Sequence, residues 1–306
     1  MLSHRHNWLS ALLLLLLPPM AFAGGANDPP MVTYRTKASE VRIAFFVTDE
    51  TDHPLDLVGK DDFAVIDGDM VLREFRSLAR SDETALDVVV MVDASESVTA
   101  HFQETMNDVL QLASQEQASS DDNFSVVSFA GLQPVLLCTR DCRAPEAGQK
   151  LRSVKAAGAT PLFDALAYSA DFLSRRYAPA VRPILILFSD GDDTISKTSA
   201  QEALQAVIAG GALLYTIDLN QPEDRAAGSA TLRRMAEATG GRYFSTREGA
   251  ANVLQAALED LRVSYVVTYQ LPSQVVGFHA LRILPKHNLN LRFHCRSGYY
   301  YGQTNP

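Results

Sequence analysis

The sequence predicts an α/β protein, with a mostly parallel sheet flanked by helices and inserted in a small β-sandwich built from both ends of the chain. From Val88 onward, short and continuously apolar strands alternate with amphipathic helical stretches, the pattern of βαβ units and a parallel sheet. The segments on either side alternate around Pro, Gly and Asp turns without helical periodicity, as antiparallel strands do. A chain of 306 residues with 47% apolar content can bury one sizeable core and a small second one.

Residues 1–23, "MLSHRHNWLSALLLLLLPPMAFA", combine a basic start at Arg5, an apolar run over Leu12 to Leu17 and the small-residue end Ala21-Phe22-Ala23. They are expected to be a secretory signal peptide. The run is shorter than the ~20 residues a spanning helix needs, and Pro18-Pro19 breaks it. The expectation is therefore an exported chain, periplasmic or secreted, with no transmembrane segment once mature. Residues 24–33 read as a flexible leader. Residues 34–84 form an N-terminal β segment, carried by "EVRIAFFVTDETDHPL" and "DDFAVIDGDMVLREFRSL".

The α/β block is placed at residues 85–262. "LDVVVMVD" is a buried strand, and the following stretch spaces Phe102, Met106, Val109 and Leu112 along one helical stripe. "NFSVVSFA" is a second strand, "TPLFDALAYSADFLSRRY" a second helix, and "RPILILFSD" a third strand. "SAQEALQAVIAGGA" is a helix ending at Gly210-Gly211, where glycine can supply a left-handed cap. "LLYTIDL" is a strand, "ATLRRMAEATGGRYF" a helix leading into a short strand, and residues 249–262 a last helix. Strands this apolar imply helices on both faces of the sheet. Residues 263–302 form a C-terminal β segment that pairs with the N-terminal one.

The formal charge of −9 and the lack of a basic patch argue against nucleic acid as a partner. Cys138 and Cys142, four apart, allow either a small loop-closing disulfide or two free thiols. Cys295 is expected to be buried and inert. Three cysteines without a His cluster do not form a zinc site.

Ligands of open parallel sheets bind beyond the carboxyl ends of the strands. Two apolar strands here end in acids, Asp93 and Asp190. Asp93-x-Ser95-x-Ser97 offers a carboxylate and two hydroxyls within one turn, hard oxygen donors that suit Mg²⁺. The alternative is helix capping by Ser95 or Ser97. Thr160 precedes Pro161, which can start a helix, and Asp190 is followed closely by Asp192 and Asp193. Asp192 and Asp193 read either as hydrogen-bond acceptors behind the site or as a solvated turn, the turn being favoured for Asp193. Arg175-Arg176 and Arg233-Arg234 read as solvated helix faces.

The ordered set Asp93-x-Ser95-x-Ser97, Thr160 in G-A-T-P and Asp190 in S-D-G resembles the von Willebrand factor type A domain, Rossmann-like in fold, with its metal-ion-dependent adhesion site. The strand-turn-strand segment with K-D-D-F, "YVVTYQL" and the closing "RSGYYYG" resemble the flanks of an exported, acidobacterial-type family with this domain. The resemblance implies Asp93, Ser95, Ser97, Thr160 and Asp190 as ligands of Mg²⁺, with Ca²⁺ or Mn²⁺ as substitutes. It also implies a partner protein that presents a Glu or Asp to the metal. Two carboxylates only just neutralise a divalent cation, which leaves it receptive to an anionic ligand. Glu96, between the serines, adds negative charge beside the site.

The expected function is thus an exported, metal-dependent protein-binding module for adhesion or assembly, without catalysis. The alternative is a structural component of a cell-envelope assembly whose metal only stabilises the fold. A hydrolase is less favoured: there is no G-x-S-x-G, and none of His53, His101, His279, His287 or His294 sits in a triad setting. Asp67-x-Asp69 resembles the nucleophile motif of haloacid dehalogenase phosphatases, but it falls among β hairpins, where Asp67-Gly68 reads as a turn.

Overall fold

The computed structural model describes residues 40–80, 85–114, 123–140, 142, 144–176, 178, 181–220, 227–245, 259–260 and 263–302. The expected signal peptide and leader, the Leu112 side chain and most of the last helix at 249–262 lie outside the described residues. In chain order the elements begin with β1 (Glu40–Thr48), β2 (Phe63–Asp67), β3 (Met70–Leu72) and β4 (Ser77–Arg80). The central block follows as β5 (Ala85–Asp93), α1 (Phe102–Ser114), β6 (Asn123–Ala130), β7 (Gln133–Thr139), α2 (Pro145–Ser153), α3 (Leu162–Ser174) and β8 (Val181–Ser189). It continues with α4 (Ala200–Ala209), β9 (Leu213–Asp218), α5 (Ala227–Thr239) and β10 (Tyr243–Ser245). The chain closes with β11 (Tyr265–Gln270), β12 (Gly277–Pro285), β13 (Arg292–Cys295) and β14 (Gly298–Tyr301). No helix among the described residues is long and apolar enough to cross a membrane.

The six-stranded sheet runs β10-β9-β8-β5-β6-β7, parallel except for β7. Its central strand shows why a continuous apolar run was needed. Val88, Val90 and Val92 pack on one face with Phe102, Met106 and Val109, while Val89 and Met91 pack on the other with Leu162, Leu166 and Leu232. Alternate residues of a strand point to opposite faces, so a strand covered on both sides must be apolar at every position. The sequence reading missed β7 and α2. Strand β7 is a half-exposed edge strand carrying Pro134, joined to β6 by the tight turn Gly131-Leu132, so it lacks the unbroken apolar run of its neighbours. Cys138 and Cys142 are joined as a disulfide beside it.

The two ends of the chain interleave in two four-stranded sheets, β13-β1-β11-β4 and β14-β12-β2-β3. Between them lies a separate apolar cluster built on Ile43, Phe45, Phe63, Val65, Val267, Leu281 and Ile283. Phe45 and Phe63 meet edge to face at 5.2 Å, and Phe45 stacks on Tyr265 at 5.6 Å. Cys295 packs at the border of this cluster and is half-buried rather than fully enclosed; burial pushes its thiol up to about 11.

The α/β block and the sandwich meet where backbone touches backbone. Gly240 has φ +86°, and a Cβ there would lie 2.5 Å from the Cys295 carbonyl carbon. The Ser297 amide donates to Ala238 O at 2.8 Å. Nearby, Arg242 makes two 3.0 Å bonds to the fully buried Asp260 carboxylate, and Arg182 donates to Ser264 Oγ. Arg176 is likewise not the solvated residue its sequence suggested: it pairs with buried Asp87 at 3.3 Å and donates to Ser125 and Thr139 hydroxyls.

His294 on β13 stacks on Phe46 at 4.4 Å and shares a 3.0 Å bond with Thr48 Oγ1. Burial, with the Arg242 and Arg292 charges acting in the same direction against Asp52, lowers its pKa to about 4. The unfolded chain takes up a proton near pH 6.5 that the folded chain refuses until about pH 4. Stability is therefore intact above pH 6.5 and falls as pH drops through that window. Urea unfolding at pH 7 and pH 4.5 should show the wild type losing roughly 2 kcal/mol more than His294→Phe over this interval. Equal losses would remove His294 as the cause.

Candidate functional site

Strands β5 and β8 lie side by side at the centre of the sheet, yet the chain leaves them in opposite directions, β5 towards β6 and β8 towards β9. Such a topological switch point opens a crevice at the carboxyl ends of the strands. Asp93 ends β5, and Ser189 and Asp190 end and follow β8. Around this crevice lie Asp93 at the end of β5 and the other four residues singled out in the sequence, on the loop after β5, the loop before α3 and the loop after β8.

Backbone hydrogen bonds lock these loops together. The Glu96 amide donates to Gly158 O at 3.0 Å and the Ala157 amide to Ala94 O at 2.8 Å, joining the loop after β5 to the loop before α3. The Thr194 amide donates to Thr160 O at 2.9 Å while the Thr160 amide donates to Thr194 Oγ1 at 2.8 Å, joining that loop to the one after β8. Asp193, read from sequence as solvated, is half-buried; its carboxylate accepts from the Phe163 amide at 3.2 Å and from Ser196 Oγ at 2.5 Å, anchoring the third loop to the start of α3. Helix α3 begins at Leu162, one residue later than Pro161 suggested.

Asp93 is fully buried. Its Oδ1 accepts from the Ser95 amide at 2.9 Å and its Oδ2 from Ser189 Oγ at 2.6 Å. Ser95 Oγ and Ser97 Oγ share a 3.0 Å hydrogen bond, Ser95 buried and Ser97 open to solvent. Helix α1 starts only at Phe102, too far along the chain for either serine to be its N-cap. Thr160 and Asp190 are also buried, and Asp190 Oδ1 accepts from the Asp192 amide at 3.1 Å. Behind them, Asn220 Nδ2 donates to Asp190 O at 2.6 Å. Gly191 has φ +81°, and a Cβ there would lie 2.3 Å from Gly228 O, so only glycine fits between Asp190 and α5.

Burial pushes the Asp93 carboxyl up to about 6, and the neighbouring Asp190 charge adds to this, while the Ser189 and Ser95 donors oppose it. Burial, with the Asp190 charge, also raises Asp192. Among the described residues neither Asp93 nor Asp190 forms an ion pair with a basic side chain. Among the described residues no group of three or more His, Cys, Asp and Glu is placed to hold a metal ion, and the donor set here is two carboxylates supplemented by hydroxyls. By kind, these side chains fit a hard divalent cation: all five are oxygen donors, and two buried acids without a basic partner gain from positive charge between them.

Sequence reasoning missed Ser189. Its signal was present, because it is the residue before Asp190 at the end of the strand next to β5, but only strand order reveals that its hydroxyl faces Asp93. Asp67, by contrast, ends β2, which belongs to a different sheet. It lies buried in the sandwich, accepting from the Tyr269 and Tyr299 hydroxyls, each at 2.8 Å, with His279 Nδ1 3.2 Å away, beside a Gly68 turn at φ +58°.

Ser189 Oγ also accepts from the Gly191 amide at 3.0 Å. Ser189→Ala would leave both the Asp93 oxygen and that amide without this partner in a buried setting, at a cost of about 1–3 kcal/mol. Urea unfolding would measure this, and a change below about 0.5 kcal/mol would mean that water replaces the hydroxyl.

No curated protein matches the chain in sequence. Among solved structures it is similar to an aerotolerance-related membrane protein from Bacteroides fragilis, at 16% identity and TM-score 0.47, covering 58% of this chain and 98% of that one. It is similar to proximal thread matrix protein 1 from the mussel byssus, at 16% identity and TM-score 0.46, covering 63% of this chain and 50% of that one; another structure of that protein has a zinc-occupied MIDAS motif. The pilus adhesin SpaC from Lactobacillus rhamnosus GG is similar at 10% identity and TM-score 0.47, covering 71% of this chain and 44% of that one. The chain thus spans half or less of the mussel and pilus chains. In sequence, residues 87–259, more than half of the chain, match the von Willebrand factor type A domain, and the protein belongs to that family.

Proposed function

We propose that this protein is an exported, divalent-metal-dependent protein-binding module that works in adhesion or assembly and catalyses no reaction. The observation that carries the reading is the buried Asp93 carboxylate, placed beside Asp190 and bordered by hydroxyl-bearing loops that backbone bonds hold together. Asp93, Ser95, Ser97, Thr160 and Asp190 would hold the metal, with Mg²⁺ the best match to hard oxygen donors and Ca²⁺ or Mn²⁺ acceptable. When bound, the cation supplies a positive centre that attracts a carboxylate from another protein.

This chain's own residues would do the rest. Ser189 orients Asp93, Asn220 holds the Asp190 backbone, and the Thr160–Thr194 pair fixes the third loop, so the donors are positioned before binding. Preorganisation of this kind lowers the ordering cost of association. A partner Glu or Asp would complete the site. The apolar N-terminal run and its small-residue end support export.

Titration of Mg²⁺, Ca²⁺ and Mn²⁺ into the mature protein, followed by calorimetry and thermal midpoint, should give saturable binding to one site. Asp93→Ala plus Ser95→Ala should abolish it. No heat in the wild type, or equal heat in the variant, would remove the metal from this reading. Binding that raises the thermal midpoint while capture of acidic partner proteins is unaffected by EDTA would instead favour a purely structural metal.

A further inference from the structure

Two large apolar side chains stand exposed on the loops that enclose the site. Leu132, 82% exposed, sits at the tip of the β6–β7 turn, and Ile195, 41% exposed, lies in the loop after β8. Both are fixed in position relative to Thr160. The Gly131 amide donates to Ala159 O at 2.8 Å, and the Thr194 amide donates to Thr160 O at 2.9 Å. Leu132 and Ile195 therefore each follow a residue whose amide is bonded to the Thr160 loop, at adjacent carbonyls of that loop. A single exposed leucine is unremarkable on a protein surface. Two of them anchored to the loop that carries Thr160 call for a partner.

Two exposed acids border the same loop, whose own charge is exposed Lys155, and they narrow what that partner can be. Glu96 is exposed, and its amide is bonded to Gly158 O at 3.0 Å. Gly158 in turn abuts Gly131, since a Cβ on Gly158 would lie 3.6 Å from Gly131 N. Backbone contacts through Gly158 and Gly131 thus connect the Glu96 loop to the turn that carries Leu132. Asp192, also exposed, borders the site beside Asp190. Further acids on an incoming segment would meet these two carboxylates, whereas apolar neighbours would meet Leu132 and Ile195.

Resting on the metal-dependent reading above, we propose that Leu132 and Ile195 form an apolar rim that selects protein segments whose carboxylate stands alone between apolar side chains, and that Glu96 and Asp192 reject acidic clusters. Specificity then arises from one attractive and one repulsive feature around a common anchor.

The test uses a displayed peptide library with a fixed central Glu and three randomised positions on each side, panned on the mature full chain in Mg²⁺ or in EDTA. The expected Mg²⁺-dependent pool is enriched in Leu, Ile, Val or Phe beside the Glu and depleted in Asp and Glu. Leu132→Ser plus Ile195→Ser should erase the apolar enrichment and weaken the selected peptides about tenfold. Val135→Ser, which changes an exposed apolar residue further along β7, should leave the pool as it was. Glu96→Gln should restore acidic neighbours. A Mg²⁺-dependent pool with acidic or random flanks, or an unchanged pool from the Leu132/Ile195 variant, overturns the rim while leaving the metal reading in place. A pool that is the same in EDTA overturns the metal reading and the rim with it.

Discussion

The hydrogen bond from Ser189 Oγ to the Asp93 carboxylate, 2.6 Å across two neighbouring parallel strands, ties the site to the core. Donors meet both oxygens of the buried Asp93, the Ser95 amide locally and the Ser189 hydroxyl across the sheet, and the second is in reach only because β5 and β8 end level with one another. The level ends in turn require the apolar register of the whole sheet, with Val88 through Val92 packed on both faces. Core packing and site geometry are thus one constraint. A slip of one residue in β5 would exchange the faces of every valine and carry Asp93 away from Ser189.

Around that fixed point the loops are held by backbone rather than by side chains. The bonds among residues 94–97, 157–160 and 194 leave the hydroxyls of Ser95, Ser97 and Thr160 in a preset arrangement, and glycine at 191 lets the third loop pass against α5. Side chains such as Asp193 and Asn220 act as struts behind the site. What is left uncompensated is charge. Two buried acids with hydroxyl and amide donors but no basic partner among the described residues form an electrostatic deficit that a divalent cation would fill.

The sandwich answers a different physical problem. A few strands taken from one end alone would be marginally stable, and strands from both ends interleave in each sheet around Phe45, Phe63, Val267 and Ile283. The two terminal segments thereby close the ends of the α/β block against one another. Contact with that block runs through Gly240 and Ser297 and through Arg182, which donates to Ser264 Oγ, so the sandwich is attached by backbone fit and by a buried side-chain hydrogen bond.

The residue pattern alone was enough for the α/β class, the covered parallel strands and the strand-end acids Asp93 and Asp190, because each depends on local periodicity or on residues at strand ends; the grouping of Ser95, Ser97 and Thr160 with them rested on the ordered resemblance to the family. Strand β7 and helix α2 were not legible, since an edge strand with Pro134 has no two-sided burial to imprint on its sequence. The roles of Ser189, Asp193 and Arg176 were hidden for another reason. Each depends on a partner 30 or more residues away, and which hydroxyl or acid faces which can be read only once strand order and loop contacts are known. Residue types and spacing determined what kinds of donor the site contains; tertiary structure decided how deeply Asp93 is buried, what holds it, and that the residues before Leu132 and Ile195 are bonded to the Thr160 loop, because burial and proximity are properties of the packed chain.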